Sequence, residues 1–454
     1  MTYTEQIAKY VYNTSYDNLP KDAIAAGKNM IMDTLGVMVG TTVEDPKKAE
    51  TAWAIAKQIG GTPEATALVS GLKLPAVWAA FCNAILGHGI DFDDTHKAAL
   101  THTGAPTVPV ALATAEVMKL SGKDFITNCI LAFEVSVRVS MAIMPAHYKF
   151  WHTTATSCTF GGAAIAAKAY GGKEQEIINA LGFAGAQAAG LLTYLEFGDF
   201  TKAVNPGKCA FNSVLSGIIA KEGASAPPNM LENPRGYLAA YCNGVDPKYD
   251  ELVKGLGETY EIVGNVPKPW PSLLASHPPI EAVLALLKEH SIKPQDIAKI
   301  TERTYNTVKS HFSNFDPKTC MAARLSVPYC IAVAAARGAA NLPEFTMEVI
   351  DAKDVRDMLA KVEIIADDVL NAMYPEKFPA IVTIELKDGK SYTKENYYPK
   401  GDLMNPFSKE EYESKFNALV TPKLGAARAK EILAAIKNLE TMKNINDLVK
   451  LLVK

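Results

Sequence analysis

Val266-Pro-Lys-Pro-Trp-Pro271 divides the chain. Three prolines in six residues fix φ and remove backbone donors, so no helix runs through this stretch. Everything before it reads as helix. Pro20 sits at a favourable first helical position, and Ile24, Ala25, Met30, Ile31 and Leu35 recur at helical spacing up to Gly36. The runs 74–88, 106–119, 124–144, 159–170, 175–194 and 208–221 are Ala- or Leu-rich and long enough for helices. Phe160-Gly-Gly-Ala-Ala-Ile-Ala-Ala-Lys168 is typical; its small residues let helix backbones approach and predict a dense helical core. Beyond the prolines the pattern mixes. Residues 280–289 and 321–338 are helical. Ile297 to Val308 and Val362 to Ala366 are β-branched runs that predict strands, and Asp388-Gly389 predicts a hairpin turn within 380–393. After Pro399 the chain is helical again to Lys454. The expected fold is mainly α. A large all-helical domain (1–266 plus 400–454) carries an inserted, smaller α+β lid domain (267–399).

A length of 454 residues suits two cores rather than one. Apolar content is 48% and charged content 21%, as in ordinary soluble proteins. The net charge of −3, with scattered lysines, argues against a nucleic-acid surface. Within 130–143, Glu134 and Arg138 form an i,i+4 pair, which argues for a buried soluble helix over a membrane span. The N-terminus has no basic stretch followed by an apolar core, so no secretory signal is expected. Seven cysteines without a C-x-x-C pair fit reduced thiols in a cytoplasmic protein, and argue against zinc ribbons and iron–sulfur clusters.

The densest chemistry lies in 88–104, His-Gly-Ile-Asp-Phe-Asp-Asp-Thr-His-Lys-Ala-Ala-Leu-Thr-His-Thr-Gly. Three of the eight histidines (His88, His96, His102) fall here with Asp91, Asp93 and Asp94, directly after an apolar run. Titratable groups beside apolar surface need partners or a purpose. On a continuous helix His88, Asp91 and Thr95 share a face, an assumption that Gly89 weakens. No H-x-x-x-H or H-E-x-x-H spacing supports a metal, and none is expected. His152 follows two aromatics and precedes a hydroxyl-rich turn in Lys149-Phe-Trp-His-Thr-Thr-Ala-Thr156. Lys208, in Asn205-Pro-Gly-Lys-Cys209, lacks the spacing of a phosphate loop. A cation at a helix start opposes the dipole, which points it toward an anion. Lys268 and His277 sit at the predicted domain boundary, where small-molecule clefts form. Tyr329 lies on a helix of the smaller unit.

Taken in order, Asp33-Thr-Leu-Gly36, Gly87-His-Gly-Ile-Asp-Phe-Asp-Asp-Thr-His96, Thr101-His-Thr-Gly104, Trp151-His-Thr-Thr-Ala-Thr156, Pro206-Gly-Lys208, Lys268-Pro-Trp-Pro-Ser272 with His277-Pro, and Ala323-Arg-Leu-Ser-Val-Pro-Tyr329 resemble the MmgE/PrpD family over nearly the whole chain. That family includes 2-methylcitrate dehydratases, cis-aconitate decarboxylases and iminodisuccinate epimerases. The resemblance implies a helical domain with an α+β lid and a homodimer. It places functional residues at Asp91, Thr95, His102, His152 and Tyr329, with Lys208 as a family-wide feature. The chain departs from the family where His102-Thr-Gly replaces a frequent His-Pro-Ser and Trp151-His-Thr a frequent Phe-His-Pro, both within pocket motifs.

The implied function is that of a cofactor-free lyase acting on a small di- or tricarboxylate. Dehydration of a 2-methylcitrate-like 2-hydroxy acid is the first expectation, with decarboxylation of a cis-aconitate-type acid and epimerisation as alternatives. His102 and His152 would act as base and acid, since unperturbed imidazoles titrate near neutral pH. Asp91 would orient one of them. Lys208, Lys268 and His277 would hold carboxylates, and Tyr329 would donate from the lid. Two other classes compete. A non-catalytic helical scaffold or binding protein would leave the titratable cluster solvated. Asp91-Phe-Asp-Asp94 also matches the acid motif of terpenoid cyclases, but 8% aromatic content is too little to line their large pockets.

Overall fold

The computed structural model describes residues 1–454. The protein is mainly α-helical with three small sheets. Buried apolar side chains gather in two clusters. The larger draws on residues 7–262 and 416–452, and the smaller on residues 266–384. The chain crosses from one to the other at the proline segment.

The larger cluster is built by the helices Lys21–Glu44, Ala76–His88, Gly104–Met118, Gly122–Ile143, Cys158–Ala169, Glu174–Gln187 and Thr201–Lys221. Gly122–Ile143 is long and apolar enough to cross a membrane, yet it is packed inside the protein with Glu134 and Arg138 buried on it. Small residues set the spacing, as at Gly162, where a Cβ would stand 2.3 Å from Ser213 Oγ. The helix expected to stop near Gly36 instead runs to Glu44. Its glycines form a bed for the C-terminal helix Lys409–Leu424: a Cβ at Gly40 would meet Leu419 at 2.4 Å. Tertiary packing here outweighs the weak helix propensity of glycine.

The smaller cluster packs under a four-stranded sheet ordered Val362–Ala366, Ile297–Thr304, Ala380–Leu386, Ser391–Asn396, with the first pair parallel and the others antiparallel. The Asp388-Gly389 turn closes the hairpin, with Gly389 at φ +87°. His277–Glu289 and Val327–Arg337 cover one face. The helix expected over 321–338 is broken after Arg324, because Pro328 has no N–H to offer the Arg324 carbonyl, which instead accepts from Leu273 N–H; the Ser326 hydroxyl then caps the new helix on Tyr329 N–H.

Two departures shape the site. The helix expected over 175–194 ends at Gln187, and Gly190, at φ +149°, turns the chain inward so that Tyr194 is buried. The helix expected to start at Lys208 starts at Thr201 and carries Pro206 within it.

Candidate active site

The Ala76–His88 helix ends at His88, so His88, Asp91 and Thr95 lie on a loop rather than on one helical face. Every residue from His88 to His96 is buried. A buried loop must satisfy its own backbone. Here four successive carbonyls are each capped by a cation from a different part of the chain. Lys48 donates to Gly89 O at 2.6 Å, Arg324 to Ile90 O at 2.9 Å, Lys268 to Asp91 O at 3.1 Å, and Lys415 to Phe92 O at 2.6 Å. These cations also face the negative end of the preceding helix. Asp91 is held there at φ +53°, a region open chiefly to Gly, Asn and Asp.

The Asp91 carboxylate is pinned by two ammoniums. Lys202 Nζ lies 2.9 Å and Lys268 Nζ 3.0 Å from Oδ1, while the buried Oδ2 has no protein partner. Burial pushes this carboxyl up, but Lys202 and Lys268 together outweigh burial and hold it well below the usual carboxylate range. Lys268 reaches Asp91 because Asn265–Val266 pairs as a strand with Thr95–His96. The proline segment is thereby stitched to the site.

Three imidazoles stand around Asp91, with ring centres 4.8 Å (His88–His102), 5.5 Å (His88–His152) and 6.4 Å (His102–His152) apart. Burial first, and then positive neighbours, lower the pKa of each well below the ordinary value, so all three are neutral. The network assigns their protons. His88 donates from Nδ1 to Asp93 Oδ2 at 2.7 Å and accepts from Lys202 Nζ at Nε2 at 2.8 Å. His102 donates from Nδ1 to Asp94 O at 2.9 Å, with Thr95 Oγ1 at 3.2 Å and Asp93 Oδ2 at 3.5 Å. Its Nε2 is left as a free lone pair. His152 accepts at Nδ1 from the Asn205 amide at 3.4 Å, and its Nε2–H is buried without a partner. Behind them, burial and the Asp93 charge push Asp94 up to about 7. Asp94 takes the Gly104 N–H at 3.0 Å, and a Cβ at Gly104 would stand 2.4 Å from its Oδ1.

A cavity of about 70 Å³ opens onto this cluster. Asp91, Thr95, His102 and Lys202 form its polar side. Tyr148 and Tyr194 line it from the helical unit, and Leu273, Leu274, Leu325, Phe312 and Phe378, with Tyr305, Thr307 and Tyr374, form the wall contributed by the smaller unit, the far wall. An outer cleft of about 1160 Å³ shares Leu100, Tyr148, Leu195, Thr307, Phe312 and Tyr374 with the cavity, and carries Lys149, Lys309 and His311. The cavity therefore lies where the two apolar clusters meet.

Asp91, Thr95 and His102 line the cavity, and His152 stands directly behind Tyr194, 5.2 Å ring to ring. Lys268 is fully buried and touches Asp91 rather than the cavity. The remaining expected residues are elsewhere. Lys208 is exposed, because the helix starts almost two turns earlier and rotates it outward. Tyr329 is buried in the smaller cluster against Phe345, and its hydroxyl is used up on Glu344 O at 2.6 Å. His277 is buried edge-on to Trp270, donates to Ser272 O at 3.1 Å, and is lowered by burial to about 3.

Sequence reasoning missed Lys202, the cation that occupies the role given to Lys208. The dipole argument was sound, but it belongs to the second residue of a helix that begins at Thr201. Asn205-Pro-Gly207 disguised that start, because Pro206 lies past the first turn, where proline ordinarily breaks a helix, yet the helix runs through it. Tyr194 was hidden in the same way, inside a segment whose composition reads as continuous helix.

Ligand atoms of His88, Asp93 and His102 lie within 4.8 Å of one another, a spacing that a metal ion would accept. Both nitrogens of His88 and the Nδ1 of His102 are already engaged, and the Lys202 ammonium stands 2.8 Å from His88 Nε2. These engaged nitrogens, with a fixed positive charge on the same imidazole, suit the group to proton transfer rather than metal ligation.

Two family signatures cover most of the chain. The MmgE/PrpD N-terminal domain matches residues 5–250 and the MmgE/PrpD C-terminal domain residues 270–441. Among curated proteins, the chain is similar to a cis-aconitate decarboxylase of Homo sapiens, 28% identical over 99% of this chain and 94% of the human protein. It is similar to one of Aspergillus terreus, 26% identical over 99% and 95%, and to one of Mus musculus, 26% identical over 99% and 93%. By these matches the chain belongs to the MmgE/PrpD family.

Proposed function

We propose that the protein is a cofactor-independent lyase that decarboxylates a small unsaturated acid of the cis-aconitate type. One observation carries this reading: every charged group that lines the cavity comes from the helical unit, while the smaller unit contributes only apolar side chains, two phenols and a threonine hydroxyl. The conjugated carboxylate of the acid docks on Lys202 and the Thr95 hydroxyl. The carboxylate that leaves lies against Leu274, Leu325 and Phe312, where conversion of an anion into neutral CO2 is favoured by the lack of water. The electron pair of the broken C–C bond shifts the double bond, and the carbon beside the docked carboxylate takes one proton. Per turnover one proton is consumed and one CO2 released.

His102 delivers the proton. It is neutral in the empty site, but substrate charge raises its pKa by the same Coulomb effect through which the lysines lower it. Asp93 Oδ2, 3.5 Å from Nδ1, stabilises the imidazolium. Dehydration would need an acid on the far wall to release hydroxide, and the titratable groups there are tyrosines whose phenols burial holds above their ordinary range. The names of the relatives support the same choice. Entry requires the wall of the smaller unit to part from the helical side, which gives that unit the role of a lid.

The test is CO2 release from cis-aconitate in D2O, with one deuterium expected at one product carbon. His102→Gln should lower the rate at least ~100-fold, the usual worth of a positioned acid–base group. Faster loss of water from 2-hydroxy polycarboxylates than loss of CO2 would overturn the decarboxylation reading in favour of dehydration.

A further inference from the structure

The charge around the cavity limits what its substrate can carry. Before any ligand binds, the ammoniums of Lys202 and Lys268 both bond the Asp91 carboxylate, and Asp93 holds His88. Lys202 is the only lysine or arginine among the residues that line the cavity. The far wall offers no cation, only apolar side chains, the Thr307 hydroxyl and the phenols of Tyr305 and Tyr374. Lys149, Lys309 and His311 lie out in the cleft.

Decarboxylation with a double-bond shift needs two carboxylates, one conjugated to the double bond and one that leaves. In cis-aconitate a third carboxylate sits on the central carbon. In this cavity that third charge would find hydroxyl donors but no counter-ion, which leaves most of its burial cost uncompensated. The two carboxylates the chemistry requires are accounted for: one has Lys202, and the other loses its charge in the reaction.

We propose that the substrate is a glutaconate-type dicarboxylate whose central carbon carries a neutral, apolar substituent in place of the third carboxylate, and that Leu274, Phe312, Leu325 and Phe378 select it. This rests on the decarboxylation reading for its chemistry but not for its selectivity. The reaction is −OOC–CH2–C(R)=CH–COO− plus one proton giving CH2=C(R)–CH2–COO− plus CO2, with R an alkyl group. The wall rejects a charged R because it leaves that charge unpaired, so specificity arises from a penalty on the wrong ligand.

Two measurements decide it. Calorimetry compares a saturated tricarboxylate (propane-1,2,3-tricarboxylate) with its analogue bearing a central methyl group (3-methylglutarate), neither of which can react. Kinetics compares kcat/KM for cis-aconitate and for 3-methylglutaconate. The methyl acids are expected to win by at least tenfold in both. In Phe312→Lys, at a half-buried position that tolerates change, the order is expected to reverse. Equal or tighter binding of the tricarboxylate, or no binding of either probe, would overturn the proposal. Absence of CO2 from both unsaturated acids would instead overturn the reaction assignment, while the binding order still decides selectivity.

Discussion

Lys202→Met and Lys208→Met form a paired test of where the active cation sits. Methionine keeps most of the lysine volume and removes only the charge. At position 202 it deletes an ammonium 2.9 Å from Asp91 Oδ1 and 2.8 Å from His88 Nε2. An ammonium and a substrate carboxylate about 3 Å apart attract by roughly 5 kcal/mol at an effective dielectric near 20. Desolvation of both takes back part of this. A net loss of ~3 kcal/mol corresponds to a fall of roughly 150-fold in kcat/KM. Asp91 keeps Lys268, so the fold should survive. A second readout is independent of substrate. Lys202 contributes to the lowered pKa of His88, His102 and His152, so their C2-proton NMR titrations should all move to higher pH in Lys202→Met. Lys208→Met, at an exposed position, should leave both readouts unchanged. Activity within threefold of the parent in Lys202→Met, or a tenfold loss in Lys208→Met, would refute the placement. Unmoved histidine titrations would refute the electrostatics.

Three further outcomes follow from the same geometry. Gly104→Ala would drive a methyl to 2.4 Å from Asp94 Oδ1 and 2.5 Å from Thr34 Oγ1, so its urea midpoint should report a loss of at least ~2 kcal/mol without a change in slope. Tyr329→Phe removes only the bond to Glu344 O; stability should fall by ~1 kcal/mol and kcat/KM should stay within twofold, whereas a large kinetic loss would return Tyr329 to the site. His88, His147, His152 and His277 are buried and His102 half-buried, all with lowered pKa, so these histidines bind more protons in the unfolded chain than in the folded one below pH 6.5. Stability from this source is complete above that pH and drains as pH falls, by up to about 1.4 kcal/mol per unit per histidine; Asp94, raised to about 7, and Glu134, raised to about 8, work in the opposite sense, so the check is differential: between pH 6.5 and 5 the thermal midpoint of the parent should lose more than that of His147→Gln.

Much of the fold was readable because local signals agreed with tertiary demand. The helix over 124–144 and the strand Val362–Ala366 lie within two residues of expectation, because apolar periodicity and β-branching there match the buried faces. The failures share one cause. Gly36 and Asn205-Pro-Gly207 were read as helix boundaries and Gly190 as part of a continuous helix, and each was decided by its tertiary setting: a C-terminal helix at Gly36, an inward turn at Gly190, and a helix that runs through its proline.

The sequence by itself determined the helical character, the change at the proline segment, the family, and the cluster at 88–104 as the place of chemistry. Those are properties of local composition and spacing. Tertiary structure alone decided which cations serve that cluster. Lys48, Lys202, Lys268, Arg324 and Lys415 come from five separate segments and converge on one buried loop. A lysine carries no local mark of what it will face, because its partner is set by the packing of distant helices. The same packing neutralises three histidines and sends Tyr329 into a core. It also gives the cavity its apolar wall, and with it the limit on substrate charge.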